Sequence, residues 1–257
     1  MERDEGVVEK MAEVLKIKDL TGGYHPKKPV LHNVSFSVKK AEIVGLIGLN
    51  GAGKSTTIKH ILGLLQAEKG HVTINGRTFQ DHVNDYRRSY AYIPETPILY
   101  DELTLWEHLE LTALAYGLER NLFEERAERL LIEFRMQKMK KWYPSHFSKG
   151  MRQKVMIMSA FLIEPPVYIV DEPIVGLDPI GIQSFLTFLS DMKNKGAAVL
   201  MSTHILATAE RYCDRFVILH QGKVVLEGTL KEMRDQLKIP NATLDDIYIE
   251  MTKEDLI

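Results

Sequence analysis

Apolar and polar residues alternate along residues 14–20 (VLKIKDL) and 34–38 (VSFSV), a period of two that predicts strands with one solvated face. Residues 42–48 (EIVGLIG) abandon the alternation for a nearly continuous apolar run that stops at glycine, the pattern of a strand buried on both faces of a parallel sheet. A helix over 54–64 follows, and residues 71–79 (HVTINGRTF) carry an Asn-Gly pair that predicts a hairpin. The period then changes. Thr104 and Glu107 have capping-box spacing, and Leu105, Leu109, Thr112, Ala113 and Tyr116 recur at helical intervals until Gly117. A second helix over about 122–141 places Phe123, Ala127, Leu131 and Phe134 on one face. Strand-like runs return at 167–171 (VYIVD) and 198–203 (AVLMST), separated by a helix that Asp178 and Pro179 open and Gly196 closes. Residues 216–219 (FVIL), a turn at Gln221–Gly222 and residues 223–228 (KVVLEG) make a last pair of strands. The pattern therefore predicts an α/β domain over 14–228, a helical subdomain inserted at about 96–150, and a tail over 229–257 that reads as one acidic amphipathic helix.

Composition narrows what such a chain does. The 33 basic and 35 acidic side chains leave a net charge of −2, which argues against a protein built to coat nucleic acid. The single cysteine, Cys213, excludes an internal disulfide and fits a reducing compartment. Residues 1–14 (MERDEGVVEKMAEV) are acidic and lack the apolar stretch of a secretory signal. The longest apolar run, Val155–Ile163, is too short to span a bilayer. A soluble, cytoplasmic protein is expected, with any membrane role exercised through a partner. Methionines 136, 139, 151, 156 and 158 are expected to fill the core.

Candidate chemistry begins where the buried strand ends. Gly48-Leu49-Asn50-Gly51-Ala52-Gly53-Lys54-Ser55, followed by Thr56, matches the phosphate-binding pattern G-x-x-x-x-G-K-[ST]. Its glycines let backbone N–H groups curl round phosphates, the following helix adds its positive end, Lys54 adds a mobile charge, and Ser55 offers a hydroxyl to Mg²⁺. The preceding buried strand and the following helix are the context this pattern requires. A second site lies at 167–172, where four apolar residues present Asp171 and Glu172 at the carboxyl end of a strand. Asp171 is suited to Mg²⁺ and Glu172 to polarising an attacking water. A guanine-specific reading needs Asn-Lys-x-Asp, and Asn194-Lys195-Gly196-Ala197 lacks the aspartate.

These residues, in this order, resemble the ATP-binding subunits of ABC transporters over about residues 14–228, most closely the Ecs-type exporter ATPases of Gram-positive bacteria. The segments IPETPILYDELT, HFSKGMRQKVMIM and STHILATAERYCD carry the narrower likeness. The resemblance implies a P-loop NTPase (RecA-like) core with an antiparallel β subdomain and a helical subdomain. It also implies ATP and Mg²⁺ as cofactors, ATP hydrolysis, a second ATP-binding domain in a head-to-tail dimer, and an integral membrane subunit. Tyr24, 24 residues ahead of Gly48, falls where the family places an aromatic on adenine. Phe147-Ser148-Lys149-Gly150-Met151 occupies the place of the signature L-S-G-G-Q, whose Ser148 and Gly150 face the partner's nucleotide. Val175-Gly176-Leu177-Asp178 looks like the loop that reaches across the dimer, and Ser202-Thr203-His204 ends a strand where the family has its switch histidine.

Two departures from the family pattern stand out. Glu95 replaces the glutamine that touches Mg²⁺ and water; it either ligates the metal or turns to solvent at the hinge. Lys149 and Met151 replace Gly and Gln in the signature, so Lys149 either adds a charged contact or faces water. Ile98, Leu99 and Tyr100 form part of the socket for the membrane subunit or pack within the insert. The rival reading is a soluble ABC-type ATPase acting on ribosomes or DNA. It fits poorly with one ATPase half, an insert of some fifty residues and no basic excess.

Overall fold

Strand β3 (Ile43–Ile47) is buried at every position and occupies the middle of the molecule. In the computed structural model, which describes residues 12–174 and 176–253, β1 (Glu13–Gly22) and β2 (Leu31–Lys39) precede it. Residues 1–11, which carry most of the acidic segment lacking a secretory pattern, Val175 of the loop expected to reach across a dimer, and residues 254–257 lie outside the described residues. With β4 (Lys69–Ile74), the first two strands form an antiparallel sheet of order β2-β1-β4. Val34, Phe36 and Val38 are buried and alternate with Ser35 and Ser37, as the period of two requires. In β1 the alternation breaks at Asp19, whose φ of 50° makes a bulge and turns Leu20 inward; the Asp19 N–H donates to Ser35 Oγ at 2.8 Å.

The second sheet runs β5-β6-β7-β3-β8-β9, with β5 (Tyr90–Ile93), β6 (Val167–Asp171), β7 (Ala198–Thr203), β8 (Arg215–His220) and β9 (Lys223–Gly228). All pairings are parallel except β8 with β9. Successive side chains of its strands enter different cores. Val44, Leu46, Ile169 and Leu200 pack towards the antiparallel sheet, whereas Ile43, Tyr168, Val170 and Met201 pack towards the helices. Burial on both faces is why these strands read as unbroken apolar runs.

The helical subdomain contains α3 (Leu105–Tyr116), α4 (Arg120–Glu133) and the start of α5 (Lys149–Ile163), after α1 (Lys54–Ile61) and α2 (Val83–Arg88) earlier in the chain. Thr104 and Glu107 close both bonds of the expected capping box, and Gly117 ends α3 in the left-handed conformation. The second helix is shorter than the sequence pattern predicts. Phe134 caps it and Arg135 (φ 57°) turns the chain, so Met136 tucks into the core and Trp142 rejoins α3 through the Leu105 N–H. Asn75 and Gly76 do turn, both with positive φ, but only Ile74 and Arg77 pair across them; β4 takes β1 as its partner instead of forming a hairpin. Met136 and Met158 are buried, and Met139 and Met151 pack on the same core, while Met156 is half-buried.

After α6 (Pro179–Asn194) and α7 (Leu206–Tyr212), the tail forms two helices rather than one, α8 (Leu230–Leu237) and α9 (Leu244–Thr252). Each begins with its own capping box, Thr229–Glu232 and Thr243–Asp246. Met233, Leu244, Ile247 and Tyr248 pack on Ile47, Ala209, Phe216 and Ile218, so the tail lies on the body of the domain. Among the described residues no helix is long and apolar enough to cross a membrane.

Candidate functional site

Parallel strands carry their ligands at the carboxyl ends, and here three such ends lie side by side. The register pairs Ile47 of β3 with Thr203 of β7, and Ser202 of β7 with Asp171 of β6. Beyond Ile47 the chain turns through Gly48–Gly53 into α1. Gly51 (φ 86°) and Gly53 (φ 109°) adopt left-handed backbone, and a Cβ on Gly48 would stand 2.6 Å from the Leu219 carbonyl oxygen. Gly53 supplies no side-chain cap, which leaves the first-turn N–H groups of α1 directed at an incoming anion. Asn50, Gly51 and Ser55 are exposed at the mouth, while Ala52 and Thr56 are buried in its wall.

Lys54 is buried, and its ammonium donates to the Gly48 carbonyl at 2.7 Å and to the Leu49 carbonyl at 3.4 Å. It lies 3.9 Å from Glu172 Oε1. Glu172 is buried with φ 46°, an unfavourable backbone held by two hydrogen bonds from its N–H to the Ser202 carbonyl (3.2 Å) and hydroxyl (3.3 Å). Its Oε2 is 2.8 Å from His204 Nδ1 and accepts from the His204 N–H at 3.4 Å. Asp171 accepts a short hydrogen bond from the Ser202 hydroxyl. Burial pushes the Asp171 carboxyl above its ordinary range; Ser202 and Lys54 oppose the rise, and the charges of Glu172 and Glu95 add to it. Lys54, Asp171, Glu172 and His204 therefore meet, as the sequence predicts.

Glu95 follows β5, is exposed, and is near enough to raise the Asp171 carboxyl and the Tyr92 hydroxyl. Its neighbour Pro94 is anchored by Gln153 Nε2 at 3.0 Å, a buried link from α5 that sequence reasoning missed. The signal was a Gln-Lys pair on the inward face of an otherwise apolar helix. Tyr24 is half exposed beside α1; its hydroxyl accepts from Lys59 at 3.1 Å, with the Lys59 ammonium 4.9 Å from the ring centre. The Lys59 hydrogen bond holds its phenol below the ordinary value.

Ser148, Gly150 and Asp178 form a separate group. Ser148 caps α5 by accepting from the Met151 N–H at 3.3 Å. A Cβ on Gly150 would come within 2.5 Å of the Gly176 carbonyl oxygen, so this glycine has a packing role within its own chain. Asp178 caps α6 through the Gly181 N–H (2.6 Å) and pairs with buried Lys154 at 3.0 Å, another residue the sequence reading passed over. Among the described residues no hydrogen bond or ion pair joins this group to Lys54, Asp171, Glu172 or His204. Within one chain the predicted site is thus two half-sites.

The half-site at the strand ends fits a nucleoside triphosphate with its metal. A buried ammonium bonded to carbonyl oxygens, uncapped helix N–H groups, an exposed serine and a buried carboxylate are the donors such a ligand requires. Among the described residues no cluster of three or more acidic, histidine or cysteine side chains forms a metal cage by itself. Magnesium is commonly held by one or two carboxylates together with substrate phosphates, so this donor set suits it.

A phosphate loop on a central strand, an acidic pair two strands away, and a helical insert define the ATP-binding cassette. Residues 31–175 match the model of the ABC transporter family, and the chain belongs to that family. It is 61% identical to the ABC-type transporter ATP-binding protein EcsA of Bacillus subtilis, over 94% of this chain and 98% of that protein. An uncharacterized ABC transporter ATP-binding protein of the same organism, YthP, is 44% identical over 95% of this chain and 99% of its own length. Among solved structures, one titled as the ATP-binding subunit of an ABC transporter superposes with a TM-score of 0.91. It is 56% identical over 93% of this chain and 99% of that one. The chain is accordingly an ATP-binding subunit of an ABC transporter, and an ATPase.

Proposed function

We propose that this chain drives export through a separate membrane subunit by pairing head to tail with a second ATP-binding domain, identical or homologous. Each of two nucleotides lies between the strand-end half-site of one domain and the Ser148–Gly150 half-site of the other. The observation that carries this reading is the division just described: residues suited to one nucleotide fall in two groups that make no bond with each other among the described residues.

In this reading Tyr24 stacks on adenine, and Gly48 to Thr56 with Lys54 cradle the phosphates. Ser55, Asp171 and Glu95 hold Mg²⁺. The metal, when bound, neutralises charge developing on the transferred phosphoryl group. Glu172 takes the proton of the attacking water, and His204, 2.8 Å from its carboxylate, orients it. Ser148 and the first N–H groups of α5 face the partner's phosphate, and Asp178 approaches the partner across the interface. Catalysis is positioning plus preorganised charge.

The membrane subunit docks on the helical subdomain. Ile98 and Tyr100 are 79% and 63% exposed, with Trp142 and Tyr143 also open, whereas Leu99 packs inward. Arg152 ties this surface together, reaching Asp101 at 3.6 Å and the Pro144 carbonyl at 3.2 Å. Such a cluster of large apolar side chains supports an interaction surface. The chain then resides in the cytoplasm, held at the inner face of the membrane by its partner. Purifying the tagged chain from its own cells in mild detergent tests this. A stoichiometric multi-spanning membrane protein is expected; ribosomes or DNA-bound proteins without one would contradict it.

A further inference from the structure

The tail is tied to the body of the domain at two points. Leu244 donates its N–H to Glu210 Oε2 at 2.9 Å, and Arg234 lies 3.8 Å from the same carboxylate while its Nε donates to the Ala242 carbonyl at 2.6 Å. Glu210 belongs to α7, the helix that follows His204. The second point is the phosphate loop itself. Tyr248 is buried on α9 among Ile47, Ala209, Phe216 and Ile218, and its hydroxyl accepts the Leu49 N–H at 3.1 Å across 199 residues of chain.

Leu49 needs such a hold. Its side chain is 62% exposed, so burial does not fix it. Its carbonyl accepts from the Ala52 N–H at 3.1 Å and from Lys54 at 3.4 Å, the latter bond made by the group that must serve the phosphates. The Tyr248 hydroxyl holds the loop through the Leu49 N–H, a bond that does not draw on Lys54. A loop ordered beforehand loses less conformational freedom when its ligand arrives.

We propose that α8 and α9 brace the phosphate loop, and that Tyr248 is a positioning residue which sets its affinity for ATP through the Leu49 N–H. This rests on the reading of Gly48–Thr56 as the ATP cradle. The ring of Tyr248 belongs to the tail's core, and only the hydroxyl belongs to the loop, so Tyr248→Phe separates the two.

The full-length chain and Tyr248→Phe are compared by calorimetric titration with ATP, by amide hydrogen exchange without nucleotide, and by thermal unfolding. The expected result is a rise of about three- to tenfold in Kd for ATP, the worth of one neutral hydrogen bond. The Leu49 amide exchanges faster while the Ile47 and Ala209 amides do not, and Tm falls by no more than about 1–6 °C, the worth of the one lost bond. In turnover, KM rises and kcat holds. An unchanged Kd overturns the brace. So does a larger fall in Tm with faster exchange throughout the tail, which would make the hydroxyl merely structural. If the unaltered chain fails to bind ATP, the cradle reading itself fails.

Discussion

Replacing Gly150 by alanine sets a contact against a helix preference. Gly150 lies in the first turn of α5, where alanine should be worth about 0.5–1 kcal/mol over glycine. The new Cβ would stand 2.5 Å from the Gly176 carbonyl oxygen, a distance that real Cβ atoms do not show. Neither side yields easily. Position 150 is helix backbone, and Gly176 sits in left-handed backbone just ahead of Asp178, which Lys154 and the Gly181 N–H hold in place. Overpacking of this kind costs about 1–3 kcal/mol, so the net loss is about 0–2.5 kcal/mol, with a midpoint just above 1 kcal/mol. For a chain of this size the midpoint lowers Tm by about 2–5 °C. Thermal unfolding of the isolated chain without nucleotide measures it, so that no effect on ATP or on a partner enters. A Tm above that of the starting protein would refute the contact between the signature turn and the 176–178 loop.

Two further outcomes follow from the same geometry. Asp171→Asn should raise Tm at neutral pH while abolishing ATP hydrolysis, because it relieves a buried charge whose carboxyl is pushed above its ordinary range. A raised carboxyl stabilises the fold fully below its unfolded pKa and loses that contribution as pH rises through the folded value; the variant's Tm advantage should therefore shrink on acidification, and an advantage independent of pH would contradict the assignment. Ile98→Asp should leave Tm nearly unchanged, since that side chain is 79% exposed, yet abolish recovery of the membrane subunit in mild detergent; undiminished recovery would move the docking surface elsewhere.

Most of the strand-end half-site was legible in the sequence because its geometry is local. A buried strand followed within a few residues by glycines and a helix places a phosphate loop, and β6 and β7 deliver Asp171 and His204 by ending. The helical insert was legible from period and caps, but the end of α4 was not. Residues 135–141 are polar enough to continue a helix, and only the left-handed Arg135 with the burial of Met136 stops it. The hairpin expected at Asn75–Gly76 failed because β4 found a longer partner in β1. Two helices in the tail were announced by Thr229–Glu232 and Thr243–Asp246, spacings the sequence reading recognised at Thr104 and passed over here. The Tyr248–Leu49 bond joins residues 199 apart, and no periodicity encodes it.

Glu172 bears the most direct test of the account. Glu172→Gln keeps the side chain's shape while removing the base that lies 2.8 Å from His204 and 3.9 Å from Lys54. ATP binding by titration, turnover by phosphate release, and mass by sedimentation should be measured on one preparation with Mg²⁺. ATP affinity is expected within about threefold of the starting chain, turnover lower by about 10²–10⁴-fold, and an ATP-dependent dimer that persists. Turnover at the original rate, or a chain that stays monomeric with ATP bound, would contradict the account.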